Sequence, residues 1–171
     1  MDKALLTRRA ALSALTAIAV APGVALAAPV ATRFREIRVD VSPLIAKDND
    51  VEAKWVAAVL PGYLKQTFAK YLAPGDRGAA VLVARIDDIA LGPPEARWAG
   101  GGIGPDTFDG IEGAGVALDG RGHVLETFPL YCSVGASSYP DLPNQQEENY
   151  RRRVQTLALS FAQWLPGKIG L

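Results

Sequence analysis

The sequence predicts an α+β two-layer sandwich, a four-stranded antiparallel or mixed sheet with two helices on one face. Three observations carry that expectation. Two long segments repeat their apolar residues at helical spacing, four shorter ones read as strands, and the order is strand, helix, strand, strand, strand, helix. Putting both helices on one sheet face is the compact way to bury both stripes in a single core.

The stretch from Ala79 to Leu91 is the only one apolar enough on both faces for a central strand. Val81 to Ala84 and Ile86 form a short β-branched run, bounded by Pro74-Gly75 before and Gly92-Pro93-Pro94 after. Leu82, Ala84 and Ile86 share a face, but Ile89 and Leu91 fall one residue out of phase. A β-bulge at Asp87-Asp88 restores the register.

The first 27 residues have the form of a cleavable export signal. Lys3 and Arg8-Arg9 make a positive start, Ala10 to Val20 an apolar run shorter than a membrane span, and Ala25-Leu26-Ala27 a small-x-small site placing cleavage before Ala28. Thr7 to Leu12, around the arginine pair, resembles the twin-arginine signals, with an ordinary secretory signal as the alternative. No cysteine follows the apolar run, as a lipoprotein signal would require. Residues 28–171 are then one domain, 144 residues with no further stretch long enough to span a bilayer. The expected location is periplasmic or secreted.

Charge and cysteine content narrow the function. The chain has 18 basic and 18 acidic residues, and losing Lys3, Arg8, Arg9 and Asp2 leaves 15 against 17. A net charge of about −2 offers no basic excess to neutralise phosphates, which argues against nucleic-acid binding. The single cysteine, Cys132, cannot form an internal disulfide.

Phe34 to Val41 alternates, with Ile37, Val39 and Val41 on one side and Glu36, Arg38 and Asp40 on the other, a half-buried strand that Ser42-Pro43 ends. Asp48, Asn49 and Asp50 offer acceptors for a helix start. Val51, Trp55, Val59, Tyr63, Leu64, Phe68, Tyr71 and Leu72 then hold one stripe for about six helical turns, up to Pro74-Gly75. The phase continues through Pro61-Gly62, which favours a kinked helix over a broken one. Aromatic residues on so regular a stripe are read as core.

Gly92 to Gly110 is the largest composition shift in the chain, a long glycine-rich loop. Gly100 to Gly104 lacks the Lys-Ser/Thr ending of a phosphate-cradling loop, and the spacing of Asp106, Asp109 and Glu112 does not match a calcium loop. Trp98, Asp106, Phe108 and Asp109 are the candidate ligand or partner contacts, large aromatics and acids in a polar loop. Ile111 to Leu118 and His123 to Tyr131 form a hairpin about Asp119-Gly120-Arg121-Gly122, with Val116 and Leu118 on the core face. Something can lie close over Gly113 and Gly115 on the other face. Pro129 marks the second hairpin strand as an edge. His123, the only histidine, belongs to the solvated turn. It is too far along the strand to activate Cys132.

In the final helix Tyr150, Val154, Leu157, Ala158, Phe161 and Leu165 form the buried stripe, ending at Trp164 and Pro166-Gly167. Glu147 with Arg151 and Glu148 with Arg152 are i,i+4 pairs on the opposite side, and Arg151 to Arg153 read as a solvated face.

This arrangement resembles the auxiliary lipoproteins of envelope ABC-type lipid transport systems. The resemblance rests on the aromatic-rich helix from Val51 to Leu72, the strand ending Asp87-Asp88-Ile89-Ala90-Leu91, the glycine-turn hairpin and the closing alanine/leucine helix. It spans Phe34 to Leu165 and implies an envelope accessory protein. The favoured reading is an exported binding protein, with an envelope protein or a small apolar ligand as partner and no cofactor or metal. The alternative is a small hydrolase or other enzyme on which Asp87, Asp88, Asp106 and Asp109 converge.

Overall fold

The computed structural model describes residues 33–92, 108–135 and 143–171. Strand β1 (Phe34–Asp40) leads through a short helix α1 (Ser42–Ile45) to helix α2 (Asp50–Thr67) and a 3₁₀ turn (Ala69–Tyr71). Strands β2 (Ala80–Ala90), β3 (Phe108–Leu118) and β4 (Val124–Gly135) follow, and helix α3 (Gln146–Ile169) closes the chain. The sheet order is β1-β2-β3-β4, with β1 parallel to β2 and the other pairs antiparallel. The expected α+β architecture and element order hold, on a mixed sheet with β4 at an edge. Helix α1 is an addition, since Pro43 suits the first turn of a helix as well as the end of a strand.

The bulge falls where the phase slip places it. Ile86 pairs with Gly113 and Asp88 with Glu112, leaving Asp87 as the extra residue. Leu82, Ala84 and Ile86 are fully buried on the helix face, and Ile89 and Leu91 rejoin it beyond the bulge.

The hairpin's core face is the opposite of the expected one. Leu82, Ala84 and Ile86 pair with Ala117, Gly115 and Gly113, so these small residues and Ile111 face the helices, while Val116 faces the other way. Close packing of α3 is the reason at Gly115, where a Cβ would lie 2.8 Å from Leu165, whereas at Gly113 the neighbouring strand is the reason, since a Cβ there would lie only 2.2 Å from the backbone oxygen of Arg85 beside the bulge. From β4, Phe128, Leu130 and Cys132 complete the layer. The turn between β3 and β4 is held by the Asp119 carboxylate, which accepts from the backbone N–H of Arg121 and of His123, each at 2.8 Å.

Helix α2 runs unbroken through Pro61, but its buried line is Ala53, Val56, Leu60 and Leu64, continued by Phe68 beyond its end. Val51 is exposed, and Trp55, Val59 and Tyr63 lie on the flank, packed against the core but only partly buried. Trp55, Val59 and Tyr63 each stand one position before Val56, Leu60 and Leu64, which take the core line. The helix gives way to the 3₁₀ turn after Thr67, short of Leu72, and no side-chain bond caps its start at Asn49. Helix α3 buries the expected Val154, Leu157, Ala158, Phe161 and Leu165, together with Arg153, Ala162 and Ile169. Tyr150 is only partly buried. The helix passes Pro166 and ends at Gly170, whose φ of 86° makes it a left-handed cap, because Ile169 still has core to fill.

Gly113→Ala should lower stability by about 1 to 3 kcal/mol, since backbone must move to admit the methyl group. Gly62→Ala, in open space on α2, should raise it by roughly 0.5 to 1 kcal/mol. Urea unfolding of the two variants beside the parent measures both.

Candidate functional site

The end of the sheet where β2 leaves and β3 begins carries two different constructions, one on each face. Strand β3 starts at Phe108, so Phe108, Asp109 and Gly110 are paired strand rather than loop: Phe108 lies opposite Gly135, and Gly110 between Ala90 and Ser133. Alternation then sends Asp109 toward the helices and Phe108 and Gly110 to the open face.

Beneath the helices, Asp109 is fully buried and meets Arg153, 1% exposed, from the second turn of α3. The Nε of Arg153 donates to Oδ2 of Asp109 at 2.8 Å, and Nη2 donates both to Oδ1 and, at 2.6 Å, to the carbonyl oxygen of Gly92. The Gly92 N–H in turn donates to Oδ1 of Asp109 at 3.0 Å. One guanidinium thus fastens the last residue of β2's exit to the start of β3. Tyr150, one turn earlier, places its ring centroid 5.3 Å from the guanidinium carbon, within cation–π range. Arg153 is therefore not part of a solvated face, as the run Arg151 to Arg153 suggests. It is three residues after Tyr150 and four before Leu157, a position inside the buried stripe. On the outer side Arg151 pairs with Glu148, an i,i+3 contact.

On the open face, Phe108 (37% exposed) and Tyr131 (61% exposed) flank Gly110. Tyr131 stands opposite Glu112 but leans across, so that a Cβ on Gly110 would come 2.8 Å from the Tyr131 hydroxyl. The β1 and β2 side of this face carries self-compensating ion pairs, Glu36 with Arg38 at 2.8 Å and Arg85 with Asp87 at 2.7 Å. The β4 side presents Thr127, Pro129, Tyr131 and Ser133, none of them charged, with Val124 exposed at its start. Sheet register, fixed by the Asp-Gly turn, is the signal that could have found Tyr131.

Of the four sequence-derived contacts, Phe108 is at the surface and Asp109 is buried in the ion pair, while Trp98 and Asp106 lie outside the described residues. Three of the four acids weighed for catalysis are held by three separate cations, Asp87 by Arg85, Asp88 by Lys47 at 2.9 Å, and Asp109 by Arg153, and the fourth, Asp106, is outside the described residues. Among the described residues no three His, Cys, Asp or Glu side chains gather to hold a metal ion. Cys132 is buried in the core layer, and that burial pushes its thiol up to about 11. His123 sits exposed in the hairpin turn with Nδ1 3.1 Å from Asp119, four residues before it, and lies nine residues before Cys132. The Asp119 carboxyl is held below the usual range, first by the His123 backbone N–H.

No protein-family model matches this chain, and no curated protein matches it either. Among solved structures it is similar to a minor lipoprotein from Acinetobacter baumannii, with a TM-score of 0.39 and 16% identity over 78% of this chain and 94% of that one. The likeness is weak and confined to the fold. Among the described residues, no helix is long and apolar enough to cross a membrane.

Arg153→Met should destabilise the protein by about 3 to 5 kcal/mol by leaving Asp109 buried and unpaired, and the double variant with Asp109→Leu should recover most of that loss in urea melts. The Cys132 thiol should resist an aromatic disulfide reagent at pH 8 in the folded protein and react promptly once urea unfolds it.

Proposed function

We propose that this chain is an exported envelope protein that acts by binding, as an accessory to a larger assembly, and that the open sheet face around Phe108 and Tyr131 is its contact surface. The aromatic pair carries the reading. Two large rings stand exposed on a paired, rigid strand end beside an uncharged strip, where burial by a partner returns apolar area with little side-chain ordering. The signal-like first 27 residues, with cleavage before Ala28, support export to the periplasm or beyond. A small apolar ligand is the other occupant of the same surface.

The partner, an envelope protein in this reading, docks on the sheet face rather than adding a strand at the β4 edge, because Pro129 has no N–H for a fifth strand midway along that edge. The enzyme alternative would need Asp87, Asp88, Asp106 and Asp109 to act together, whereas Asp87, Asp88 and Asp109 are each paired with a different basic residue.

Crosslinking of a tagged chain in its native envelope, followed by mass spectrometry, tests the reading. Phe108→Ser with Tyr131→Ser should cut partner recovery at least tenfold while leaving folding intact. Undiminished recovery, or no specific partner for the parent protein, would overturn it.

A further inference from the structure

A second surface is independent of the sheet face. Trp55 and Tyr63 of α2, rotated out of the core line, lie eight residues apart, about 12 Å along the helix axis. Each packs partly against the core cluster, and each lines a depression along the seam with α3. The first, of about 370 Å³, sets Trp55 against Asn144, Gln145, Gln146 and the Glu148 and Arg151 pair. The second, of about 150 Å³, sets Tyr63 against Gln155 and Thr156. Low positions on α2 face low positions on α3, so the two separate depressions follow one another along the groove at the helix seam.

The chemistry of that groove is specific. Side-chain amides both donate and accept, and the Thr156 hydroxyl, whose proton goes to the carbonyl oxygen of Arg152 at 3.0 Å, can still accept, which suits a ligand whose groups also do both. The acids Glu147 and Glu148 are balanced by Arg151 and Arg152, so the groove has no net charge to select an ion. An aromatic ring fixed by the core at each end offers a flat apolar platform. Pyranose rings have this complementary form, an apolar C–H face with hydroxyls around the rim. Spacing of the two platforms fits a short chain better than one ring.

We propose that the groove between α2 and α3 binds an uncharged oligosaccharide, its rings stacked on Trp55 and Tyr63 and its hydroxyl or acetamido groups paired with the amides of α3. The proposal goes beyond the partner contact at Phe108 and Tyr131, which lies on the opposite side of the sheet. Binding here leaves that surface open.

Titration of chitotetraose into the ¹⁵N-labelled protein, followed by amide and indole resonances, tests it. Saturable shifts are expected at the Trp55 indole and along residues 145–156, with affinity lowered at least fivefold by Trp55→Ala and by Tyr63→Ala. Because those rings touch the core, Gln146→Ala with Gln155→Ala provides a second variant that spares it, and the same direction of loss is expected. Phe108→Ser with Tyr131→Ser should leave the sugar affinity unchanged, which separates this site from the other. No saturable shift at millimolar sugar, shifts centred elsewhere, affinity indifferent to the variants, or a groove shifted only by an amphipathic peptide would each overturn the proposal.

Discussion

The contact between Asp109 and Arg153 fixes how the halves of this protein meet. Burying two charges costs several kcal/mol per ion, and only good geometry with every remaining donor and acceptor occupied offsets it. Here the Gly92 backbone supplies both a donor and an acceptor, so the carboxylate and guanidinium are satisfied by three elements at once. A hydrophobic pair could give equal stability, but it would not specify which turn of α3 stands over which residue of β3. The ionic pair sets that register.

Once α3 is placed, the sheet beneath it must be flat and small. Gly113, Gly115 and Ala117 line its track, and Leu165 lies where a side chain on Gly115 would be. Larger residues supply the volume from the flanks: Leu82 and Ile86 from β2, Phe128 and Leu130 from β4. The bulge at Asp87 keeps Ile89 on the same face after β2 changes phase, and frees Asp87 and Asp88 to pair with nearby Arg85 and Lys47. Acids that look like a cluster in the sequence are thereby dispersed.

The two proposed binding surfaces follow from the same packing. Alternation turns Asp109 inward and so turns Phe108 and Gly110 outward, where Tyr131 can lie across the glycine. On α2 the core line runs through Val56, Leu60 and Leu64, which leaves Trp55 and Tyr63 one position off it, at the seam with α3. In both cases an aromatic residue lies off the core because its neighbour in the chain, Asp109 beside Phe108, Val56 beside Trp55 and Leu64 beside Tyr63, takes the inward position.

The order of strands and helices, the bulge, the edge position of β4 and the stripe of α3 were all legible in the sequence. They depend on local spacing, on proline, and on the Asp-Gly turn. Which face of the hairpin is buried was not, because glycines carry no hydropathy signal and the choice depends on how near α3 comes. The line of α2 lies one residue from the expected one, since large aromatics dominate a periodicity whereas the aliphatic Val56, Leu60 and Leu64 fill the core. Arg153 and Asp109 lie 44 positions apart. Only the folded chain brings those two charges together, and only there does an apparent surface arginine become the centre of the core's edge.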